Sequence, residues 1–261
     1  MMTKLDNPYR ILLLGGTSEA TSLAQSLADQ NGIFTILSLA GRTANPAASP
    51  LPVRVGGFGG VDGLTEYLTS ENIDLIVDAT HPFAARISNN AIAASVAAHV
   101  PLLAIERPPW TPAGTDEWSE FDSVDAAIAA LPDTPQDVFS GLGRQAINAL
   151  SAAPQHRYVI RVVDASEPPT NLPHATIVAA RGPFRTEDDI ELFRKHGISH
   201  VLAKNSGGSA AYSKIEAARM LGIKVLMVRR PAIAPRKTVT SVEDALAWIE
   251  THHQRRSERG V

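Results

Sequence analysis

A strand–turn–helix pattern near the N-terminus constrains the fold of this chain more than any other stretch. Residues 11–14 form a continuous apolar run, Ile-Leu-Leu-Leu, which is typical of a strand buried on both faces of a sheet. Gly15 and Gly16 follow at once, and Thr17 and Ser18 are residue types that cap a helix N-terminus. The pattern predicts a βα unit whose helix N-terminus presents unpaired backbone N–H groups to an anion.

Two interpretations of this turn differ in function. The turn lacks the complete G-x-G-x-x-G fingerprint of dinucleotide sites, and a tight βα turn without a ligand can have the same residues. We favour nucleotide or phosphate binding, because the turn follows the first strand of an α/β chain. In such folds ligands lie outside the carboxyl ends of the strands.

Apolar runs and helical patterns alternate along the rest of the chain. The further strands are predicted at residues 34–40, 53–55, 73–79, 102–105, 137–140, 158–163, 176–180, 200–203 and 224–228. Strands that alternate with helices form parallel sheets with right-handed crossovers. The fold class predicted is therefore α/β, with two Rossmann-like, doubly wound parallel-sheet domains and a cleft between them.

The domain boundary is predicted where this alternation lapses. Four helix and strand breakers, Pro108, Pro109, Pro112 and Gly114, interrupt the pattern. We therefore predict a nucleotide-binding domain at residues 1–106, a linker at 107–123 and a second domain at 124–261. The sequence leaves open whether the terminal strand or helix crosses back onto the first domain.

Composition excludes several classes of protein. The 261 residues include no cysteine, which excludes disulfides, thiolate metal ligands and a catalytic thiol. A net charge of −3 argues against a general nucleic-acid binder. Residues 1–6 lack the apolar core of a signal peptide, and no stretch approaches the length of a membrane span, so we expect a cytoplasmic protein without a membrane partner. His252 and His253 lie beside arginines in the terminal helix, and we expect no metal site there.

Polar residues that follow strands of the first half are candidates for cofactor contacts. Arg42 follows the second strand, where an arginine can pair with the 2′-phosphate of NADP; the alternative is an exposed loop charge. Phe58 and Gly59 belong to a glycine cluster that permits close ligand approach. A carboxylate, a hydroxyl and an imidazole follow the fourth strand. The predicted cofactor-binding set is Gly15, Gly16, Thr17, Ser18, Arg42, Phe58, Gly59, Asp78, Thr80 and His81.

The second half contains a further predicted anion site in the sequence Lys-Asn-Ser-Gly-Gly. Its glycines expose backbone N–H groups, and its lysine adds charge; the alternative is a flexible loop. Three arginines fall near other strand ends, where each alone is a surface charge and together they suit an acidic substrate. The predicted substrate-binding set is Arg144, Arg161, Arg181, Lys204, Asn205, Ser206, Gly207 and Gly208.

The sequence motifs of several other enzyme classes are absent from the chain. The Tyr-x-x-x-Lys of short-chain dehydrogenases is absent, because Tyr212 is followed by Glu216 rather than lysine. Neither a Gly-x-Ser-x-Gly elbow nor a G-x-x-x-x-G-K-[ST] loop occurs.

Six segments together resemble the precorrin-6A reductase family of cobalamin biosynthesis. They are Leu-Gly-Gly-Thr-Ser-Glu-Ala at 14–20, Gly-Phe-Gly-Gly at 57–60, Asp-Ala-Thr-His-Pro-Phe-Ala at 78–84, Glu-Arg-Pro at 106–108, Arg-Gly-Pro-Phe at 181–184 and Lys-Asn-Ser-Gly-Gly at 204–208. The resemblance runs from about residue 10 to about residue 250. It implies an oxidoreductase of tetrapyrrole metabolism that uses NADPH to reduce one CH–CH double bond of precorrin-6A to give precorrin-6B.

The resemblance also implies a mechanism. A hydride from the nicotinamide reaches a carbon of the macrocycle and a proton reaches its neighbour, while the protein contributes alignment and electrostatics. His81, Lys204 and Tyr212 are proton-donor candidates by chemical type, and water is an equal alternative. The basic residues of the second half suit the substrate's peripheral carboxylates.

Several alternatives stay open at this stage. The sequence does not distinguish the metal-free substrate from its cobalt-containing counterpart, and it fixes neither the hydride face nor the proton donor. It does not fix the oligomeric state either, and a monomer is the simplest expectation. An NADP-sensing regulator without enzymatic activity and a glycosyltransferase-like enzyme are the rival functions.

Overall fold

The computed structural model of the chain describes residues 8–41, 48–164 and 170–259. The strands in these ranges are β1 (Tyr9–Leu14), β2 (Ile33–Leu39), β3 (Val53–Val55), β4 (Leu75–Asp78), β5 (Leu102–Ile105), β6 (Trp118–Phe121), β7 (Asp137–Ser140), β8 (Arg157–Val162), β9 (Ala175–Ala179), β10 (His200–Lys204), β11 (Lys224–Val228) and β12 (Lys237–Val239). The helices are α1 (Ser18–Leu27), α2 (Val61–Ser70), α3 (Ala85–Ala98), α4 (Val124–Ala129), α5 (Thr186–His196), α6 (Ser213–Leu221) and α7 (Val242–Arg259).

The chain forms two compact units. One comprises the residues up to Arg107 together with those from Ala232 onward, and the other comprises Pro108–Pro231. No helix in the described ranges is both long enough and apolar enough to cross a bilayer.

The first unit is a six-stranded sheet in the order β12-β5-β4-β1-β2-β3, and all its strand pairs are parallel. Its strands are apolar because helices cover both faces. Ile11 and Leu13 pack with α1 and α7, whereas Leu12 and Leu14 point the other way and pack with α2 and α3. Alternate side chains of β1 therefore belong to two hydrophobic cores, one on each face of the sheet.

The second unit repeats this arrangement with the strand order β6-β11-β10-β7-β8-β9, again with parallel pairs throughout. Helices α5 and α6 pack against one face, where Phe193 and Ile215 join a core with Val201 and Met227. Apart from the terminal strands β12 and β6, both sheets have the doubly wound order 3-2-1-4-5. The point where the strand order reverses lies between β1 and β4 in the first unit and between β7 and β10 in the second, which is where such sheets bind ligands.

The predicted fold class is confirmed, and each strand predicted from an apolar run is present with ends within two residues of the prediction.

Two predicted boundaries are corrected. The expected linker at 107–123 contains β6, which pairs with β11 in the second sheet, so only the join at 107–108 separates the units there.

The second correction concerns the C-terminal end of the second domain, predicted to run to residue 261. The chain instead returns to the first unit at Ala232, where β12 pairs with β5 and α7 buries Ala245 and Ile249 in the first core. A three-residue strand is too short to show a period of its own, which is why the sequence left this return open. The cleft expected between the units stays a prediction.

Candidate functional site

The two glycines after β1 have different tasks. Gly15 donates its backbone N–H to Ser38 O at 2.9 Å, and a Cβ at Gly15 would lie 2.6 Å from Leu37 Cδ1. Gly15 therefore lets the turn pack closely against β2. Gly16 has a φ of +123°, a backbone angle that residues with a side chain rarely adopt, and a Cβ there would meet nothing within 4 Å. The turn thus leaves open space beside Gly16.

Thr17 shapes the N-terminus of α1. Its hydroxyl oxygen accepts a hydrogen bond from Ala20 N at 3.2 Å and donates to Ala79 O at 2.7 Å. Across the described ranges, no acceptor is recorded for the backbone N–H groups of Gly16, Thr17 and Ser18. These groups lie at the positive end of a ten-residue helix, so the turn has the properties of an anion site.

The carboxyl end of β4 lies beside this turn. Asp78 pairs in register with Leu14 and is only 3% exposed. Its Oδ1 accepts from Thr80 N at 3.1 Å and from Thr80 Oγ1 at 2.7 Å, and Thr80 Oγ1 lies 3.3 Å from Ser88 Oγ. Asp78 Oδ2 is buried without a hydrogen-bond partner in the part of the chain that the structure describes. A buried carboxylate oxygen of this kind is costly unless a donor reaches it.

The glycine turn and the Asp78 segment are therefore neighbours at one edge of the sheet. His81 belongs to the same loop, and its Nδ1 accepts from Phe83 N at 3.2 Å. A neutral His81 consequently carries its proton on Nε2.

One ion pair at this edge was not foreseen from the sequence. Arg107 Nη1 lies 2.8 Å and 2.7 Å from the two carboxylate oxygens of Glu19, in the first turn of α1. Burial is the largest single influence on Glu19 and opposes its ionisation. The hydrogen bonds from Arg107, from its own backbone N–H and from Ser18, together with the positive charge of Arg107, nevertheless hold the pKa of the carboxyl below its usual value. Glu19 is thus a charged but compensated neighbour of the anion site. In the sequence, Glu19 is recognisable only as an acidic residue in the first turn of a predicted helix.

The remaining predicted cofactor residues are Arg42, Phe58 and Gly59. Arg42 lies outside the described residues. The ring of Phe58 packs edge-on to Tyr67, with centroids 5.2 Å apart, and joins the core beneath α2 and α3. Gly59 has φ +84° in the loop that follows β3. The cofactor roles of these residues stay predictions.

In the second unit, Asn205 follows β10 and joins that edge to the incoming chain. Asn205 is 5% exposed; its Oδ1 accepts from Trp110 N at 2.8 Å and its Nδ2 donates to Trp110 O at 2.9 Å. Trp110 Nε1 in turn donates to Gly208 O at 2.7 Å. The predicted substrate loop therefore fixes the segment that enters the second unit.

The same loop also fixes the segment that leaves this unit. Arg230 Nε donates to Asn205 O at 2.9 Å and Arg230 Nη2 to Ser206 O at 3.1 Å. Gly207 has φ +67°, and a Cβ there would lie 2.2 Å from Pro108 O. Sequence reasoning missed this anchoring role, because it depends on partners about 100 residues away in the chain.

The three predicted substrate arginines differ in exposure. Arg161 is only partly exposed, with 9% of its side chain accessible: its Nη1 lies 2.6 Å from Asp189 Oδ1, and its guanidinium lies 3.8 Å from the centroid of the Phe184 ring. Arg144 is exposed, and Arg181 is about half exposed with Asp164 at 3.6 Å. Arg144 and Arg181 are therefore the arginines of this set whose placement suits a soluble anion.

Tyr212, one of the three proton-donor candidates, belongs to a charged network. Its hydroxyl accepts from Arg219 Nη2 at 2.6 Å, and Arg219 also donates to both carboxylate oxygens of Asp116 at 2.7 Å and 3.1 Å. Burial is the largest single influence on Asp116 and opposes its ionisation. The hydrogen bonds from Arg219 and from the backbone N–H of Ala113, together with the positive charge of Arg219, keep its pKa below the usual value.

Lys214 is a further buried residue that sequence reasoning missed. It is 3% exposed, and its Nζ donates to Ala211 O at 2.5 Å and lies 4.8 Å from the centroid of the Trp110 ring. Burial, and then the positive charge of Arg161, lower the pKa of Lys214 to about 7, while Asp189 opposes this change.

The paired Rossmann-like sheets and the glycine turn at a carboxyl edge place this protein in the doubly wound α/β class. Within that class, the chain belongs to the precorrin-6x reductase family, CbiJ/CobK, whose family model matches residues 10–250. The resemblance found from the sequence segments is confirmed, and this is a family of oxidoreductases in cobalamin biosynthesis.

Individual relatives agree with this assignment. The precorrin-6A reductase of Rhodobacter capsulatus is 49% identical over 243 residues, which cover 93% of this chain and 96% of the relative. That of Sinorhizobium sp. is 52% identical over 240 residues, 92% of each chain. The cobalt-precorrin-6A reductase of Priestia megaterium is 27% identical and covers 85% of this chain and 91% of its own length. A solved structure of a CobK precorrin-6A reductase superposes with a TM-score of 0.88 at 49% identity, covering 93% of this chain and 96% of the other.

Proposed function

We propose that this protein is an NADPH-dependent precorrin-6A reductase that saturates one double bond of the macrocycle to give precorrin-6B. The cofactor assignment rests on the turn after β1. There the N–H groups of Gly16, Thr17 and Ser18 have no acceptor among the described residues, and a Cβ at Gly16 would meet nothing within 4 Å. The identity to precorrin-6A reductases, 49% and 52%, against 27% to the cobalt-precorrin enzyme, supports the metal-free substrate.

The residues at this edge fit a dinucleotide. Gly16, Thr17 and Ser18 would hold its diphosphate through backbone N–H groups, aided by the helix dipole. Glu19 does not repel it strongly, because Arg107 compensates the charge of Glu19. Asp78 Oδ2 would accept a hydrogen bond from a cofactor hydroxyl or amide. When bound, the nicotinamide supplies the hydride for the reduction.

The second unit supplies the cations for an acidic macrocycle. Arg144, Arg181 and Lys204 lie at or near the carboxyl ends of its strands, the edge at which doubly wound sheets bind ligands. Arg161 supports this edge from within, since it pairs with the buried Asp189. For the proton that completes the reduction, His81 is a candidate donor by chemical type, and water is the alternative donor.

Substitution of the turn glycine tests the cofactor site. We expect Gly16→Ala to weaken NADP⁺ binding roughly tenfold, because φ +123° is strained for alanine and the methyl group enters the open space. Isothermal titration calorimetry measures this affinity. Gly143→Ala is the control, since Gly143 has φ +80° in the corresponding turn of the second unit. Equal affinities in the Gly16 variant and the wild type would place the dinucleotide elsewhere.

A lysine substitution tests the substrate side. We expect Lys204→Ala to raise the KM for precorrin-6A roughly fivefold through loss of one charge contact, with the NADP⁺ affinity unchanged. Lys224→Ala is the matched control, because Lys224 is exposed at the amino end of β11, the opposite edge of the same sheet. An unchanged KM in the Lys204 variant would remove this residue from the substrate site.

Turnover tests the function as a whole. The purified protein is incubated anaerobically with NADPH and either precorrin-6A or cobalt-precorrin-6A, and oxidation of NADPH is followed by absorbance. We expect faster turnover of the metal-free substrate. Preference for the cobalt form would reassign the substrate. Tight NADPH binding without turnover of either compound would favour a sensor, and binding of UDP-sugars in place of NADPH would favour a glycosyltransferase-like enzyme.

A further inference from the structure

Arg54 lies at the carboxyl edge of the first sheet, next to the end of β2. It occupies β3 in register with Ser38, and the next pair in the register is Leu39 with Val55. A Cβ on Gly41, just beyond β2, would lie 3.1 Å from Val55 Cγ1, so the two strand ends are in close contact. In doubly wound nucleotide-binding sheets, the group after the second strand meets the ribose of the adenosine half.

The guanidinium of Arg54 is held in one orientation. It stacks over the Phe58 ring at 3.7 Å from the centroid. Its Nη1 donates to Gly56 O at 2.6 Å and its Nη2 to Gly57 O at 2.7 Å. Because the side chain is already ordered, binding of a ligand would cost it little further conformational entropy.

Among the described residues, no acid compensates the charge of Arg54. Arg10, Arg107 and Arg236 are the other partly buried arginines among the described residues of the first unit, and their carboxylate partners are Glu71, Glu19 and Glu106 respectively. The acceptors recorded for Arg54 in the described ranges are neutral: two backbone carbonyls and, at 3.4 Å, Ser38 Oγ. A partly buried guanidinium without a carboxylate favours an anionic ligand, and its forked donors match a phosphate.

We propose that Arg54 recognises the 2′-phosphate of NADPH and so determines the preference of this enzyme for NADPH over NADH. This inference rests on the proposed function, and it assigns the phosphate to a residue of β3 in addition to Arg42, which the sequence suggested. The purely structural alternative is that Arg54 only fastens the Gly56–Gly57 turn.

Binding of cofactor fragments separates these two roles. Calorimetry measures the affinity of the full-length protein for 2′,5′-ADP and for 5′-AMP, which differ by the 2′-phosphate alone. We expect the wild type to prefer 2′,5′-ADP. We expect Arg54→Met, which keeps an apolar side chain over Phe58, to weaken 2′,5′-ADP roughly tenfold and 5′-AMP by less than about twofold. Arg54→Lys keeps the positive charge and is expected to retain part of the preference.

Arg10→Met is the matched control. Arg10 also lies over a phenylalanine ring, 4.7 Å from the centroid of Phe34, but at the amino end of the sheet, and its substitution should leave both affinities unchanged. Equal losses for the two fragments in Arg54→Met would show the purely structural role and overturn the proposal. So would a preference that survives in Arg54→Met and disappears in Arg42→Met.

Failure of the proposed function gives a different result. In that case the wild type itself binds neither NADP⁺ nor 2′,5′-ADP and does not oxidise NADPH with precorrin-6A. A wild type that turns over with NADPH, together with an Arg54→Met variant that retains the full preference, would overturn only the inference on Arg54.

Discussion

In the wild type, Lys214 is expected to make the free energy of unfolding rise by about 3 kcal/mol between pH 7 and about pH 9.5, and Lys214→Met is expected to remove this rise. In the folded protein Lys214 has a pKa of about 7, against the ordinary value of 10.5 in the unfolded chain. Between these two values the unfolded state binds more protons than the folded state. The free energy of unfolding contributed by Lys214 therefore rises with pH across this window, and below pH 7 the full cost of burying the charged lysine applies.

The neighbours of Lys214 do not cancel this effect. The positive charge of Arg161 opposes protonation of Lys214, whereas the carboxylate of Asp189 favours it. Burial raises the pKa of Tyr158 to about 12, so the stability linked to this phenol falls only when pH exceeds the ordinary tyrosine pKa of 10. A comparison that ends near pH 9.5 thus isolates the lysine.

Chemical denaturation at several pH values provides the measurement. The difference in unfolding free energy between Lys214→Met and the wild type should be largest near pH 7 and shrink as pH rises, with the variant the more stable at neutral pH. Lys195→Met is the control, because Lys195 is exposed in the last turn of α5 and should leave the pH profile unchanged. A constant difference from pH 7 upward would mean that Lys214 is charged in the folded state.

Gly207→Ala is expected to lower the free energy of unfolding by about 3 kcal/mol or more. A Cβ at this position would lie 2.2 Å from Pro108 O and 2.3 Å from Arg230 Nη2. One of these contacts is with backbone, so the loop or the entering segment must move. The movement would strain the hydrogen bonds between Asn205 and Trp110.

Gly222→Ala separates this clash from backbone strain. Gly222 has φ +63°, close to the +67° of Gly207, but a Cβ there would meet nothing within 4 Å. We expect its substitution to cost about 1 kcal/mol, the ordinary penalty of a left-handed residue. Equal losses in the two variants, measured by urea denaturation, would show that Gly207 is required for its dihedral angle alone and would contradict the anchoring role of the loop.

Local patterns were sufficient for most of the fold. The run before Gly15 predicted β1, because a strand buried on both faces must be apolar throughout its length. The hydroxyl of Thr17 predicted a helix cap, and Thr17 caps α1. The neighbourhood of Asp78 and the glycine turn followed from the rule that the carboxyl ends of parallel strands meet at one edge.

Contacts between residues distant in sequence could not be predicted in this way. Arg161 has the sequence context of a surface charge, and only the folded chain brings it to Asp189. Asn205 suggested a ligand loop, whereas its partner Trp110 lies 95 residues earlier. The strand β12 is three residues long and is stabilised by pairing with β5 rather than by its own composition. Such pairings depend on topology, which hydrophobic periodicity does not encode.

The central claim is that the carboxyl edge of the first sheet binds the nicotinamide dinucleotide, and hydrogen–deuterium exchange of the whole protein with and without NADP⁺ tests it most directly. Bound cofactor should slow amide exchange at residues 15–20, where the N–H groups of Gly16, Thr17 and Ser18 would hold the diphosphate, and at residues 78–84 beside them. Unchanged exchange in both segments, with protection confined to residues 141–144 and 204–209 of the second unit, would contradict the account.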